Sequence, residues 1–576
     1  MEPEPINPRG QLWQQTWPVL AVVFAGVLLM LPMVILGIPK GGDLPNHFHF
    51  ALPFYDELRA GNWHPGWLAD SNWGYGDPRF RFYPPGLYYL LAAARVVTGN
   101  WYYAAICTFG ILTVVGGLGA YWWARDFCQP RIAVFAGLLY LIAPYHINEL
   151  YQASFLAEYA ACAVLPFTFL FVEKICRRRK AMDIAGLSAS YALLVLTHLP
   201  LAVIGSLALL VYALMRLERK LWITNALRLG LSVGLGLGGS IFFWGTMLAE
   251  LKWIKGSSIA PNPYYDYRLN FVFSPSSMTN LNNWFAKLLG FSMLAFLLPA
   301  LLVSWRMFRS RERGVKSMIA LSFASFLMAT PLSYPLWRVI PKLSEVQFPW
   351  RWLAITSLTG SVLLALSLPE WSASFRQSLQ PRKLAVAFVF ALSIVYVGTI
   401  LLDNGVFLKR PAFDAMLRDL PGALSFKDWT PVTASDLLHI QKMQANVEAD
   451  GREVAITSWD AEHRAFHVAA GAETSARVWT YYYPHWKAFA NGQALPVTAA
   501  PDGAIQIRLP ADAADVDLVF QEPKRTQIAG TLSLISWFAI ALVAGFGRWP
   551  LKTMRSRNPD PTEQSSALIK PSLALE

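Results

Sequence analysis

Gly42-Asp43 and then His47 follow directly on the chain's first long apolar run, residues 17–39. A carboxylate and an imidazole thus stand one helical turn apart where that run ends. A carboxylate held beside an apolar wall has its pKa raised and its basicity increased, so Asp43 is suited to accept a proton, and His47 to orient it or share the proton. Glu158 lies a few residues inside another apolar run, ASFLAEYAACAVLPFTFLF, and His198 stands between two short ones. Ionisable groups at such depth are costly unless paired or opened on a cavity, so these two either line a cavity or clasp one another. Arg79 and Arg81 in DPRFRFYPP, and Arg351 after QFPW, carry guanidinium groups that match phosphate bidentately. Plain alternatives stand beside each reading. Asp43 can be only a helix N-cap, and His47 only a polar contact. Arg79 and Arg81 can pair with Asp70 and Asp77, while Arg351 can snorkel to the interface. Trp63, Trp67, Trp73 and Tyr75 can form an aromatic belt.

These residues are carried by a greasy chain. Of 576 residues 55% are apolar and only 15% charged, with a mean hydropathy of +0.35, which implies an integral membrane protein. Disordered, collagenous and disulfide-scaffold classes are excluded. The formal charge of +12 sits in short clusters at the ends of apolar runs rather than on one face, which argues against nucleic-acid binding. Spans are expected near 17–39, 101–124, 132–148, 154–173, 183–198, 201–215, 224–250, 285–305, 317–336, 352–369, 384–402 and 527–547, about twelve in all. Lys and Arg fall on alternate connections, from Arg125 and Arg131 to the tail of Arg548, Lys552, Arg555 and Arg557. By the positive-inside rule both termini are then cytoplasmic. The first span reads as a retained signal anchor, having no A-x-A-like exit. The four cysteines show no metal or redox spacing, and the exported loops are expected to hold no disulfide.

The first exported loop, roughly 40–100, should hold an interfacial helix over residues 44–60 with Asp43 at its N-cap and Phe48, Leu52, Tyr55 and Leu58 as its apolar stripe. Residues 84–98 are apolar but short and contain Arg95, so an interfacial or re-entrant helix is expected there. Residues 403–525 hold 12 Lys/Arg against 16 Asp/Glu, a net of −4, and read as a second exported domain. From about 450 it alternates as strands at 454–459, 464–470, 476–483, 485–490, 504–510 and 516–521, with Asn491-Gly492 as a type I′ hairpin turn. The expected organisation is a membrane module over 1–402, an exported domain over 403–525 with a small antiparallel sandwich or barrel, and a last span with its cytoplasmic tail over 526–576. No 20-to-50-residue repeat is visible.

The order of several motifs resembles one family. They are Gly42-Asp43 with His47, Ala-Gly-Asn-Trp at 60–63, Gly-Tyr-Gly-Asp-Pro at 74–78, and Phe-Tyr-Pro-Pro at 82–85, which includes Tyr83. Further on come Pro144-Tyr145, Tyr151, Glu158, Thr-His-Leu-Pro at 197–200, Gln-Phe-Pro-Trp-Arg at 347–351, and Tyr-Tyr-Pro-His-Trp-Lys at 482–487. The chain is similar to the bacterial integral membrane proteins described as 6-pyruvoyl-tetrahydropterin synthase-related, themselves similar to GT-C glycosyltransferases. Nothing in it resembles a soluble pterin enzyme. His485 stands where the related strand has glycine.

The resemblance implies an inverting glycosyltransferase at the outer face of the bacterial inner membrane. It would pass a sugar from a polyprenyl phosphate in the bilayer to a glycan, lipid or protein acceptor. Such chemistry needs a base for the acceptor hydroxyl and positive charge for the leaving phosphate. Asp43, with His47, fits the first role. Arg81, Tyr83, Gln347 and Arg351 would meet the substrate, and Glu158 and His198 would shape the cavity. The loop 252–284, with its tyrosines and basic residues, offers a mobile cover. Some GT-C enzymes use a divalent metal; its nearest candidates would be Asp43, His47 and His49, though His49 faces elsewhere on a helix. Two rival readings are a transporter or lipid flippase and a non-catalytic membrane scaffold.

Overall fold

The computed structural model describes residues 8–178, 180–257, 265–274, 281–310, 313–403, 406–420, 429–435 and 443–546. Among the described residues nine helices are long and apolar enough to cross a bilayer: Thr16–Ile35, Trp101–Ala124, Pro130–Ala153, Leu156–Arg177, Leu199–Arg216, Ala286–Arg309, Pro349–Gln377, Pro381–Leu402 and Lys524–Gly545. Two further helix pairs there pass the same test but are bent, Trp222–Gly239 with Ile241–Trp253 by 69° and Arg313–Met328 with Pro331–Val339 by 91°. The described residues therefore hold 9 to 11 spans, against about twelve expected for the chain. The expected span at 183–198 is the helix Ala181–Thr197, one residue short of 18.

The bundle core is built by small residues that let helices close on one another. Leu156–Arg177 packs between Trp101–Ala124 and Ala181–Thr197, with Ala161, Cys162 and Leu165 fully buried. The first long loop begins with a helix at Leu44–Arg59. Its buried residues include Leu44, His47, Phe48, Ala51 and Phe54; of the expected stripe Phe48 is buried, while Leu52, Tyr55 and Leu58 are half-buried. The helix is turned toward a core shared with Tyr88, Leu91, Ile147 and Leu156. Gly86–Thr98 forms a helix of 13 residues, about 20 Å long and too short for roughly 30 Å of hydrocarbon.

Two strands, β1 (Ile38–Pro39) and β2 (Phe407–Leu408), pair antiparallel and tie the exit of the first span to the chain beyond Pro381–Leu402. Among the described residues nine more strands form two antiparallel sheets. One sheet is ordered β3 (Val447–Ala449), β6 (Thr474–Tyr481), β10 (Ala504–Leu509), β9 (Val497–Ala499). The other is ordered β4 (Val454–Trp459), β5 (His463–Val468), β11 (Ala514–Phe520), β7 (Trp486–Ala490), β8 (Gln493–Leu495). Their facing side chains, among them Phe466, Val478, Ile505, Ile507, Val516 and Leu518, make one core. Asn491 and Gly492 connect β7 to β8 with φ of 46° and 81°, as a type I′ turn requires. Trp67 and Tyr75 of the first loop are buried in this same core. They are therefore not an interfacial belt; Trp63, 73% exposed, is the member of that group that stays outside.

Candidate active site

Asp43 precedes the first turn of Leu44–Arg59, but its backbone, at φ −96° and ψ −1°, is not in the extended region that aims a capping side chain, and it makes no capping bond. Its Oδ1 instead accepts from the Asn46 side-chain amide at 3.1 Å. Its own N–H donates to the Ala153 carbonyl at 3.2 Å, and the Gly41 N–H to Ser154 Oγ at 3.2 Å. The loop carrying the carboxylate is thus moored to a turn of π-helix, Asn148–Ala153, a form that marks functional sites more often than plain packing. Burial raises the Asp43 pKa; the Asn46 bond and the Arg351 charge pull it partly back, and Glu158 pushes it up again. Asp43, Glu158 and Arg351 are therefore close enough for their charges to act on one another.

Arg351, in the 3-10 turn Pro349–Trp352 that opens the span Pro349–Gln377, is 7% exposed. Its Nε donates to Glu158 Oε2 at 2.8 Å and its Nη1 to the Val346 carbonyl at 2.6 Å. The Phe348 ring covers its Cζ at 4.8 Å. Glu158 is further held by the Tyr145 hydroxyl, which donates at 2.5 Å. The expected Glu158–His198 clasp is at best a weak one. His198 Nε2 stands 4.0 Å from Glu158, and its Nδ1 accepts the Leu201 N–H at 3.3 Å, capping the next helix. Tyr83 adjoins Asp43, whose charge raises the phenol's pKa after burial, and it hydrogen-bonds Tyr88. Gln347, at φ 68°, is half-buried beside Phe348.

His47 is placed differently from a proton-sharing partner. Its Nε2 accepts the Leu156 N–H at 3.2 Å and its Nδ1 lies 3.0 Å from the Tyr88 hydroxyl. Burial lowers its pKa to about 3, so it stays a neutral brace between the loop helix and the start of Leu156–Arg177. Arg81 also lies apart. Its Nε and Nη2 bind Glu250 at 2.5 and 2.8 Å, Nη1 binds Glu522, and Nη2 also reaches Glu522 at 3.0 Å, His485 at 3.4 Å and Thr526 at 3.5 Å. Neither Asp70 nor Asp77 is its partner; Asp77 takes Arg79 at 2.8 Å. The guanidinium of Arg81 is consumed in fastening the first loop to the bent helix pair and the last span.

Two groups escaped the sequence reading. Glu149, fully buried in the π-turn, feels Glu158, Arg351 and Asp43, while its Oε2 and the Asn148 Oδ1 have no hydrogen-bond partner among the described residues. Its signal was the one used for Glu158, an acid beside an apolar run. Lys287 is 7% exposed on the helix Leu281–Ser310, with Nζ unpartnered among the described residues; that helix packs on the Pro144–Ile147 turn leading to Glu149. For a metal, the fit is poor. Both ring nitrogens of His47 are engaged, His49 is turned toward Arg79, and no three His, Cys, Asp or Glu among the described residues are placed to hold an ion. Chemically the site offers one carboxylate oxygen, Asp43 Oδ2, and one guanidinium nitrogen, Arg351 Nη2, that make no hydrogen bond among the described residues.

Residues 80–408 match the family described as 6-pyruvoyl-tetrahydropterin synthase related domain, membrane protein. A comparison with curated proteins gives no match. Among solved structures the chain is similar to ArnT from Cupriavidus metallidurans bound to undecaprenyl phosphate, at 16% identity and a TM-score of 0.45 over 71% of this chain and 74% of that one. It is similar to the Archaeoglobus fulgidus oligosaccharyltransferase at 14% identity and 0.47, over 69% and 57%. To arabinosyltransferase EmbB from Mycobacterium smegmatis the figures are 14% and 0.37, over 87% and 62%.

Proposed function

We propose, from the premise that the chain belongs to the 6-pyruvoyl-tetrahydropterin synthase related family of membrane proteins, that it is a glycosyltransferase of the GT-C kind. It would use a polyprenyl-phosphate sugar at the exported face of a bacterial inner membrane, with both termini cytoplasmic. The observation that carries this reading is a carboxylate and a guanidinium whose charges act on one another, each with one polar atom that makes no hydrogen bond among the described residues. The order of motifs that resembles GT-C enzymes supports it.

In the proposed reaction the acceptor hydroxyl gives its proton to Asp43 Oδ2 as its oxygen bonds to the anomeric carbon. The bond from that carbon to the phosphate oxygen breaks, its electron pair leaves with the phosphate, and the sugar centre is inverted. Arg351 Nη2 receives the charge that builds on the phosphate; Lys287, a buried ammonium one helix away, is a second candidate for that charge. Glu158 and Tyr145 hold Arg351 in place, so they position rather than react. His47, with both nitrogens engaged, keeps the loop helix at its angle. Tyr83 and Gln347 flank the two reacting groups. The exported sandwich, which takes Trp67 and Tyr75 of the first loop into its core, would hold the acceptor near the cavity.

Asp43→Asn keeps the shape and removes the base. In proteoliposomes with the lipid that co-purifies, transfer should fall by about 10²–10⁴. Undiminished transfer by that variant overturns the assignment, and solute uptake without sugar release would point to a transporter instead.

A further inference from the structure

A cavity of about 680 Å³ lies beside the turn that leads to Arg351. Its lining includes Tyr265, Asp266, Tyr267, Arg268, Arg338 and Gln347. Gln347 is followed by Phe348, whose ring lies over Arg351, and the Tyr265 ring meets Phe348 at 6.0 Å. The cavity is thus on the same side of the membrane as Arg351 and Asp43. Gln347 and Lys342, which bracket the turn between them, both hold positive φ, 68° and 65°. For residues other than glycine such strain persists only where surrounding structure enforces it, and it gathers at functional sites.

The size falls within the roughly 300–1,000 Å³ of ordinary ligand sites. The lining is not a wall for a prenyl chain, because polar groups interrupt it throughout. Nor does it select by charge: two carboxylates, Asp266 and Glu345, meet two guanidiniums, Arg268 and Arg338. What it does present are aromatic faces on firm backing. Tyr267 stacks at 5.4 Å and 12° on Trp337, which is buried, and at 6.1 Å and 24° on Tyr334. A flat ring face takes the apolar C–H side of a sugar, while amide, carboxylate and guanidinium groups around it exchange hydrogen bonds with hydroxyls.

We infer that this cavity is a subsite for an uncharged glycan, the acceptor end of the transfer, seated against Tyr265 and Tyr267 and led past Gln347 toward Asp43. The inference rests on the transferase reading and names its acceptor class. The donor, carried on a bilayer lipid, has no need of a polar cavity open to water; a glycan growing at the exported face does.

The test is titration calorimetry of the purified full chain with maltotriose, cellotriose, chitotriose and mannotriose. At least one should bind the parent chain, and should bind Asp43→Asn within about twofold. Arg338→Ala, an exposed substitution that leaves the fold alone, and Tyr267→Ala should each weaken that binding about tenfold or more, while Tyr267→Phe, which keeps the ring, should restore it. Failure of all four sugars to bind, or binding indifferent to both alanine variants, overturns the subsite. Persistent transfer by Asp43→Asn would instead overturn the catalytic reading while leaving a sugar-binding cavity in place, so the two failures are separable.

Discussion

Two buried arginines in the same protein sit in opposite circumstances. Arg81 spends all three of its nitrogens on Glu250, Glu522, His485 and Thr526. Glu250 in turn collects Tyr483 at 2.9 Å, His485 at 3.0 Å and Arg525 at 3.2 Å. The result is a closed network joining the first loop, a membrane helix, the sandwich and the last span. Arg351 has one carboxylate and one carbonyl, and around it Glu149 Oε2, Asn148 Oδ1 and Asp43 Oδ2 lack hydrogen-bond partners among the described residues. A satisfied polar network fixes geometry, whereas buried groups left unsatisfied cost free energy that folding alone does not recover. The difference separates the clasp from the cavity more sharply than residue type does, since both centres consist of Arg, Glu, His and Tyr.

The comparison breaks if the clasp proves dispensable. Arg81→Ala would leave Glu250 buried without its main counter-charge and should cost about 3–5 kcal/mol, seen as a fall in detergent Tm and easy proteolysis between the sandwich and the membrane helices. Adding Glu250→Gln to that variant should recover part of the loss. Arg351→Gln should do the reverse. Glu158 keeps its Tyr145 bond, so Tm should move less than for Arg81→Ala, while transfer should fall about 10²–10³ for one lost anion-stabilising donor. Equal Tm losses in the two variants would erase the distinction between clasp and cavity.

That distinction was only half legible in the chain. Alternation marked β4 to its ends, Val454–Trp459, and Asn491-Gly492 marked its hairpin, because both signals are local. The loop helix was legible too, but not its orientation. The stripe at Leu44, His47, Phe48, Ala51 and Phe54 mixes a polar residue into the buried face, and its partner surface is assembled from Tyr88, Ile147 and Leu156, remote in sequence. Arg81 read as a phosphate ligand since its acceptor Glu250 lies 169 residues away, beyond any motif. Asp43, Glu158 and Arg351 could each be singled out as ionisable groups at apolar borders, yet nothing local says that they meet. Glu149 escaped because the preceding span was taken to end at residue 148, which placed it in water; the π-turn keeps it inside.

Smaller effects sharpen the same contrast. Glu149→Gln should change transfer by no more than about tenfold and leave the acid limb of kcat/KM where it is, because the carboxylate that repels Asp43 is Glu158. Asn46→Ala should move that limb up. Asp43 must be ionised to act as base, burial already raises its pKa, and the Asn46 bond is what holds it down. Without that bond the limb should shift to higher pH, because the charged form of Asp43 loses a donor that favours it. An unmoved limb would detach Asn46 from the chemistry.

The least of the effects tests where the first loop meets the sandwich. Glu57, whose carboxylate accepts from Asn62 at 3.2 Å, is pushed up to about 7 by burial; the Asn62 bond lowers it somewhat, and Glu462 and Asp70 repel it further. A carboxyl raised on folding supports the folded state fully below its unfolded value, near about 4, and that support is lost as pH rises through 7. The Tm of the parent chain should therefore decline between about pH 4 and 7, by a small amount because Glu57 is partly open to solvent. Glu57→Gln, neutral throughout, should flatten that decline and leave the Arg81 clasp untouched. A decline of the same size in Glu57→Gln would move its source to Glu462, the other carboxyl that burial raises at this contact, and would take Glu57 out of the joint between loop and sandwich.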